Sequence, residues 1–281
     1  MRRRLFSVLL LICHACVAFD GLANIEIKSQ WVSGKVHILY GSGGNIGALV
    51  GVDGILIIDD QFEPLAPQIE KELNRLDSQN KRVSYIVNTH YHGDHTGSNS
   101  YFAKSASILA HENVRKRLAD KGQSNGLPVI TYEQGVKLHI DDETVHVKHL
   151  ASGHTDGDSV VYFEQANVWH LGDLLFESRF PYIDLQNGGS VSGYVQNIRT
   201  LLSLIDDDAK IIPGHGRLTD KSGLKKVLTM IEQTRQLVAK MKSDGLTERQ
   251  CIAKGLGAEW QGWNWTFINE TKWIKTLYAS I

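Results

Sequence analysis

Cysteine is scarce in this sequence of 281 residues, which contains only three. Cys13 and Cys16 lie in an N-terminal segment that we expect to be removed, so Cys251 would remain alone and an internal disulfide is excluded. Cys251 lies in a stretch with a helical pattern, where a lone cysteine is typical of a small buried hydrophobic residue. Any metal site in the mature chain would therefore use histidine and aspartate rather than thiolates.

The sequence also lacks an excess of one charge and a long apolar run. Its 30 Lys and Arg against 31 Asp and Glu give a formal net charge of −1, which favours neither nucleic acid nor an acidic membrane surface as a partner. The apolar stretch at residues 5–12 is too short to span a bilayer, so we expect no stable membrane insertion after signal cleavage. The length and ordinary hydrophobic content indicate one large globular domain, or one domain with a small addition.

The N-terminal segment has the outline of a secretory signal. Arg2-Arg3-Arg4 precede the apolar stretch, and small residues near Ala18 offer a cleavage site. We therefore expect residues 1–18 to be a signal peptide and the protein to be periplasmic or secreted. Residues 19–281 would form the folded domain, with a helical portion from about 218 to 281. The paired arginines leave open whether export uses the general or the twin-arginine route.

The densest group of metal-binding side chains lies at residues 89–97, with the sequence THYHGDHTG. A β-branched and aromatic run at residues 83–87 predicts a strand that ends at this group, and the carboxyl ends of strands carry the chemistry of α/β sheets. Imidazole and carboxylate together are typical ligands of zinc and its neighbours. In an extended loop His90 and His92 point the same way while His95 is offset, which favours two ions over one. The alternative is a histidine-rich surface loop.

Three more metal-capable residues follow in the second half of the chain, each beside a glycine and shortly after an apolar run. They are His154, Asp173 and His215. A neighbouring glycine allows a tight turn and the close approach of a ligand. Taken singly each residue is a weak signal, because a lone histidine in a loop is more often solvated.

Short strand-like runs and helical patterns alternate along the chain. Strands are predicted at residues 25–28, 36–40, 46–52, 55–58, 83–87, 145–150, 159–163, 168–171 and 210–212. Helices are predicted at residues 65–76, 195–205 and 224–241, followed by two shorter helical segments after Gly245. Strand-rich halves that each carry helices predict two sheets packed face to face with helices outside.

The order H-x-H-x-D-H, then His, Asp and His at strand ends, resembles the metallo-β-lactamase superfamily over about residues 25–218. The resemblance implies an α/β fold of four layers, an αβ/βα sandwich with C-terminal helices. It also implies two Zn²⁺ ions as cofactors, with iron or manganese as other possible metals. Seven ligands are implied: His90, His92, Asp94, His95, His154, Asp173 and His215.

The resemblance assigns these ligands to two ions. The first ion would take His90, His92 and His154, and the second would take Asp94, His95 and His215. Asp173 would bridge the two ions. Asp59, with Asp60 as a near alternative, would support the metal loop by orienting a ligand.

The implied activity is hydrolysis, in which a metal-bound hydroxide attacks the carbonyl of a small ester, lactone, thioester or β-lactam-like amide. Asp94 and Asp173 would be the catalytic carboxylates. Glyoxalase II and lactonase-like members keep the bridging aspartate, whereas true zinc β-lactamases carry Cys or Ser there, so efficient β-lactam hydrolysis is not expected. The expected partner is a small-molecule substrate, and the oligomeric state stays open. Two alternatives also stay open: an iron-dependent sulfur-metabolising dioxygenase of the same fold and a non-catalytic zinc-binding protein.

Residues that face the substrate are less well defined by the sequence. Asn187 or Tyr194 could donate to a developing oxyanion, but a loop whose Ser190 or Ser192 caps the following helix is favoured. Four tryptophans near the C-terminus are expected to pack the last helices against the sandwich, with a substrate-facing wall as the less favoured alternative. They are Trp260, Trp263, Trp265 and Trp273.

Overall fold

The computed structural model describes residues 22, 25–77, 79 and 81–281. The predicted signal peptide and the predicted start of the domain at residue 19 lie outside these residues and stay predictions. Among the described residues, no helix has both the length and the apolar character needed to cross a membrane.

The first sheet of the described chain has seven strands in sequential order. Strands β1 to β4 form an antiparallel meander, and β4 to β7 run parallel to one another. The strands are β1 Lys28–Ser33, β2 Val36–Tyr40, β3 Ile46–Gly51, β4 Gly54–Ile58, β5 Val83–Asn88, β6 Ser107–His111 and β7 Ile130–Tyr132.

The second sheet has six strands in the order β13-β12-β11-β10-β9-β8. Its neighbours pair antiparallel except β11 and β12, which are parallel. The strands are β8 Gly135–Ile140, β9 Glu143–His149, β10 Ser159–Phe163, β11 Val168–His170, β12 Lys210–Ile212 and β13 Thr219–Asp220.

Helices connect and cover the sheets. The α-helices are α1 Ala66–Leu76, α2 Gly93–Thr96, α3 Asn99–Phe102, α4 Glu112–Asp120, α5 Val191–Leu204, α6 Lys221–Ser243, α7 Glu248–Lys254 and α8 Glu270–Ala279. Short 3-10 helices lie at Glu63–Leu65, Gly172–Leu174, Leu185–Asn187 and Ala258–Trp263.

Strand β4 explains how the layers form. All five of its residues are buried, and successive side chains of a strand point to opposite faces. Ile55 and Ile57 therefore pack in the cluster under α1, while Leu56 and Ile58 pack between the two sheets. Each fully buried side chain of this size stabilises the fold by about 1.5–3 kcal/mol.

The outer face of the second sheet carries the last helices. A hydrophobic cluster lies between this sheet and the helices. Trp273 of α8 is fully buried in the cluster, where its indole Nε1 donates to Thr234 Oγ1 at 3.0 Å. Cys251 is buried in the same cluster, as predicted for a small hydrophobic residue. Helices on both outer faces of two packed sheets confirm the predicted four-layer α/β sandwich.

Several predicted boundaries are wrong. The first strand is Lys28–Ser33 rather than residues 25–28, and α5 begins at Val191 rather than at residue 195. Ser190 is the cap of α5, with Oγ accepting from Gly193 N at 3.1 Å, which confirms the favoured interpretation of that loop. The sequence patterns also missed β6, β7, β8 and α4. For two of these elements the apolar pattern is weak, since β8 is largely exposed and α4 buries only two side chains.

Candidate metal centre

The seven predicted ligands lie at one edge of the paired sheets. Parallel neighbours end at the same edge, so β4 delivers Asp59 beside the end of β5, and β11 and β12 end together. The candidate ligands lie in the segments that follow strand ends. They are His90 and His92 after β5, Asp94 and His95 in α2, His154 after β9, Asp173 after β11 and His215 after β12.

The structure brings these seven side chains into two groups. His90, His92 and His154 form the first group with Asp173, and Asp94, His95 and His215 form the second. Within each group the potential ligand atoms all lie within 4.8 Å of one another. The resemblance described above implies the same two sets of three residues, with Asp173 between them.

Asp173 spans both groups with its two carboxylate oxygens. Oδ2 lies 3.3 Å from His154 Nε2 and 3.7 Å from His90 Nε2. Oδ1 lies 3.1 Å from His95 Nε2 and 3.4 Å from His215 Nε2. One carboxylate therefore reaches ring nitrogens of both groups.

Three atoms at the centre of the cluster are buried and have no partner of hydrogen-bond geometry among the described residues: Nε2 of His90, Nε2 of His95 and Oδ1 of Asp173. A buried polar atom left unpaired costs about 1–3 kcal/mol. The three atoms lie close together, and imidazole nitrogen and carboxylate oxygen are both atoms that bind divalent metals. The residues therefore fit divalent cations of the zinc type.

Most of the histidines are held by their other ring nitrogen. His95 Nδ1 donates to Asp59 Oδ2 at 2.7 Å, and His154 Nδ1 donates to the carbonyl of Tyr182 at 2.7 Å. His90 Nδ1 lies 3.1 Å from Thr89 Oγ1. Such bonds fix the tautomer and direct the remaining nitrogen toward the centre.

Asp59, rather than Asp60, is the supporting carboxylate. Asp59 is fully buried with φ 63°, and it accepts from His95, from Thr89 N and from Thr89 Oγ1, both of the latter at 2.7 Å. A non-glycine residue in the left-handed region is uncommon and is held there by its surroundings. Asp60 instead accepts from Ser98 N at 2.9 Å.

Glycine is required beside two of the ligands. Gly172 has φ 50°, and a Cβ there would lie 2.6 Å from Thr89 Oγ1. A Cβ at Gly214 would lie 2.1 Å from Asp173 Oδ1. A larger residue at Gly172 would displace Thr89, which supports His90, and one at Gly214 would displace Asp173 itself, which explains the glycines beside Asp173 and His215 in the sequence.

The charges of the cluster favour a cation. Burial lowers the pKa of His154 to about 4. Burial opposes charge on His215 as well, but Asp173 and Asp94 outweigh it and raise the pKa of His215 to about 9. Burial likewise opposes the ionised form of Asp173, but the surrounding histidines hold its pKa well below the usual range. The carboxylates thus stabilise positive charge between the histidines.

A cleft of about 780 Å³ opens onto the cluster. Asp94, Asp173, His92 and His215 reach its floor. Its walls are largely aromatic: Phe62, Tyr91, Phe176, Tyr182, Trp265 and Phe267. A concave, mostly apolar cavity with a few convergent polar groups is the usual form of a small-molecule site.

Comparison with known proteins identifies the family. The sequence model of the metallo-beta-lactamase superfamily matches residues 39–215, more than half of the chain. The chain belongs to this superfamily. A metallo-beta-lactamase from Pontibacter korlensis superposes with a TM-score of 0.63 and 18% identity, covering 74% of this chain and 99% of that protein. The predicted family and fold class are both confirmed, and membership of the superfamily supports a metal-dependent hydrolase.

Two relatives match this chain over only part of their own length. The 2,4-dinitroanisole O-demethylase subunit alpha of Nocardioides sp. (strain JS1661) is 26% identical over 68% of this chain. A hydroxyacylglutathione hydrolase of Polaromonas sp. (strain JS666) is 29% identical over 52% of this chain. The chain spans 58% of the length of the first relative and 53% of the second.

Neither predicted oxyanion donor is free for that role. Tyr194 is fully buried, and its hydroxyl donates to the carbonyl of Asp173 at 3.0 Å. Asn187 lines the cleft, but its amide Nδ2 donates to Asp184 at 2.9 Å, while its Oδ1 accepts from Arg117 Nη1 at 3.0 Å. Both side chains therefore support the centre rather than face a substrate carbonyl.

Sequence reasoning missed Asp184. Its Oδ2 accepts from the Tyr91 hydroxyl and lies 3.1 Å from His92 Nε2. His92 can therefore turn Nδ1 toward the cluster, where it lies 2.8 Å from His154 Nε2. The available signal was an aspartate three residues before Asn187, in the loop that the sequence patterns already singled out.

The tryptophans divide between two roles. Trp260, Trp263 and Trp273 pack with the core of the last helices, as predicted. Trp265 also contacts that core but lines the cleft, and its ring centroid lies 5.6 Å from that of His215. The less favoured alternative, a substrate-facing wall, therefore applies to Trp265.

Proposed function

We propose that this chain is an exported dinuclear zinc hydrolase acting on a small ester, lactone, thioester or amide. The single observation that carries the proposal is Asp173, whose two oxygens lie within 3.1–3.7 Å of ring nitrogens from both ligand groups. A carboxylate in that position suits two adjacent cations, and paired cations serve hydrolysis.

We assign one ion to His90, His92 and His154, the other to Asp94, His95 and His215, and both to Asp173. When bound, two such ions would lower the pKa of water to near neutrality and polarise a carbonyl. The first group would offer Nε2 of His90 and His154 and Nδ1 of His92, the ring nitrogens that face the cluster. Iron or manganese would also suit these ligands.

Asp94 is the carboxylate best placed to handle a proton. Its side chain lines the cleft, and its Oδ2 lies 3.3 Å from His215 Nε2 and 3.6 Å from His95 Nε2. Burial raises the pKa of a carboxyl, but His95 and His215 outweigh it and lower the pKa of Asp94. Asp94 would therefore be ionised at neutral pH, orienting a water molecule and accepting its proton at Oδ2.

Three features support the substrate class. The cleft has the volume of a small-molecule site, one relative is named hydroxyacylglutathione hydrolase, and a carboxylate between the two groups matches the thioesterase- and lactonase-like ligand set. The basic and apolar N-terminal sequence supports export. N-terminal sequencing of protein recovered from the periplasm or medium, expected to begin near residue 19, tests that part.

The experiment joins elemental analysis to a substrate screen of lactones, thioesters, β-lactams and phosphodiesters. We expect two zinc ions per chain and hydrolysis that His92→Ala abolishes without unfolding the protein. His146→Ala is the matched control, because that histidine is on β9 away from the cleft and pairs with Glu164. Unchanged turnover in the His92 variant would refute the assignment.

Two results would favour the alternatives. One iron per chain together with oxygen consumption would indicate a dioxygenase. Two zinc ions with no hydrolysis across the whole panel would indicate a binding protein.

A further inference from the structure

One wall of the cleft is built by chain that follows residue 215, where the match to the superfamily ends. We call residues 265–267, which line the cleft, the C-terminal wall. Phe180 holds it in place: the N–H of Phe180 donates to the carbonyl of Trp263 at 2.9 Å, and its carbonyl accepts from Trp265 Nε1 at 2.9 Å. The wall is therefore a fixed part of the cleft.

The C-terminal wall presents aromatic surface to the cleft. Phe267 is 49% exposed. Its ring centroid lies 5.6 Å from that of Trp265 and 5.3 Å from that of Tyr182, and Tyr182 in turn lies 5.6 Å from His92. Covering such rings with an apolar group removes them from water and stabilises the bound state. The wall suits a ring or another bulky apolar group.

Arg179 places a positive charge on the same wall. Its guanidinium carbon lies 5.1 Å from the centroid of the Trp265 ring, and Nε donates to the carbonyl of Glu177 at 3.3 Å. Among residues 25–77, 79 and 81–281, no carboxylate forms an ion pair with this guanidinium. Half-burial lowers the pKa of Arg179, which Glu177 partly opposes, yet an arginine remains charged at neutral pH. Its terminal nitrogens are thus free to bind a carboxylate in a bidentate manner.

Trp265 connects this charge to the metal cluster. The guanidinium of Arg179 lies over the indole ring, and the centroid of the same ring lies 5.6 Å from that of His215. A ligand carboxylate on Arg179 and a carbonyl at the cluster would therefore be separated by about one indole. The other cleft cation, Lys121, is exposed and stacks on Tyr91 at 4.2 Å.

We propose that the substrate is a carbonyl compound carrying both an apolar ring and a carboxylate, with the ring on the C-terminal wall and the carboxylate on Arg179. This inference rests on the proposed hydrolase function. Arg179 and Trp265 act as specificity-determining residues, while the metal ligands act on the carbonyl.

Three 4-nitrophenyl esters with the same leaving group test the proposal in the zinc-loaded full chain. They are the acetate, the phenylacetate and the 4-carboxyphenylacetate, which differ by a ring and then by a carboxylate. We expect kcat/KM, corrected for uncatalysed hydrolysis, to rise at each step. Arg179→Gln should lower kcat/KM about tenfold for the carboxylated ester alone, mainly through KM, since a charged hydrogen bond is lost.

Matched variants separate the two contacts. Trp265→Ala should lower kcat/KM for both ring-containing esters by a larger factor than for the acetate, whose smaller loss measures the packing of Trp265 beside His215. Arg199→Gln and Trp260→Phe are the controls, since Arg199 on α5 pairs with Glu232 on α6 and Trp260 packs away from the cleft. A preference for the carboxylated ester that survives Arg179→Gln would overturn the proposal, whether Lys121 or the metals were responsible.

Binding distinguishes failure of this inference from failure of the proposed function. Quenching of tryptophan fluorescence by phenylacetone and by 4-carboxyphenylacetone, two ketones that cannot be hydrolysed and that differ only in the ring carboxylate, gives dissociation constants without turnover. Tighter binding of the carboxylated ketone that Arg179→Gln removes would support binding of the carboxylate by Arg179 even if none of the esters were hydrolysed. Equal binding of both ligands to the unaltered protein would overturn it even if hydrolysis were rapid.

Discussion

The two ligand groups of the cluster differ in how firmly their side chains are held. In the first group every histidine has a partner for its outer ring nitrogen: Thr89 for His90, Asp184 for His92 and the carbonyl of Tyr182 for His154. In the second group only His95 has one, from Asp59. Among the described residues, no hydrogen bond reaches Nδ1 of His215.

Packing replaces hydrogen bonding at His215. Its ring stacks on Phe176, with centroids 5.0 Å apart and an interplanar angle of 13°, and Trp265 lies on another side. Asp94 is also the more open carboxylate, with its side chain 24% exposed against 5% for Asp173. The first group is thus preorganised by directed bonds, whereas the second is partly open to the cleft where substrate enters.

Removing the carboxylate that joins the groups should have the largest effect. Asp173→Asn keeps the shape but removes the charge that both groups share. We expect kcat/KM to fall about a thousandfold, since several kcal/mol of stabilisation depend on the paired ions. Elemental analysis should show one ion in place of two. Two ions retained together with full activity would contradict the bridging role of Asp173.

Changing the supporting carboxylates should affect the groups unequally. Asp59 accepts from His95 and, through the Thr89 hydroxyl, holds His90, so it supports both groups. Asp59→Asn should therefore weaken both ions by up to about a hundredfold, and Asp184→Asn should weaken the first ion alone by about tenfold. Equilibrium dialysis with Co²⁺ and its visible spectrum measure each loss.

The control for these variants is Asp220→Asn. Asp220 caps α6 through Ser222 N and Gly223 N, away from the centre. Its replacement should leave both cobalt affinities unchanged. Equal losses at both ions in the Asp184 variant would mean that the two groups are not held independently.

The clustering of the seven candidate ligands could be predicted from the sequence because their chemistry is local. His90, His92, Asp94 and His95 lie within six residues, and the later ligands follow apolar runs that the period of two marks as strands. Strand ends gather at one edge of the sheet, so these residues meet whatever the details of the loops. The same reasoning succeeded for Ser190, whose capping role depends only on the residues that follow it.

The supporting contacts could not be predicted in the same way. Asp184 lies 92 positions from its partner His92, and Arg179 meets Trp265 across 86 positions of chain. Such contacts depend on how loops fold back over the sheet edge, which no local pattern encodes. Tyr194 shows the same limit: the sequence leaves it open as a less favoured oxyanion donor, and only the fold shows that its buried hydroxyl donates to the carbonyl of Asp173.

Chelation should remove the two ions in order. If directed bonds hold the first group more firmly, the second ion should leave at a chelator concentration about tenfold lower, within the range that supporting bonds contribute. Elemental analysis should then pass through one ion per chain. Anomalous diffraction from that state should find the ion among His90, His92 and His154. An ion left beside His215 instead would reverse the comparison.

The smallest expected effect concerns the stacking that holds His215. Phe176→Leu removes the ring that stacks on that imidazole and that also lies 5.9 Å from the His154 ring. We expect the second ion to bind a few-fold more weakly and the first ion to weaken less, because an aromatic contact contributes about 0.5–1.5 kcal/mol. Phe180→Leu is the matched control: Phe180 is equally buried, but its ring stacks on Trp273 at 5.9 Å rather than on a ligand. Both variants should lose similar stability in thermal unfolding, since each removes part of a buried ring. If the Phe180 variant weakened the second ion equally, the effect would be general loosening of the loop and not the loss of support beneath His215.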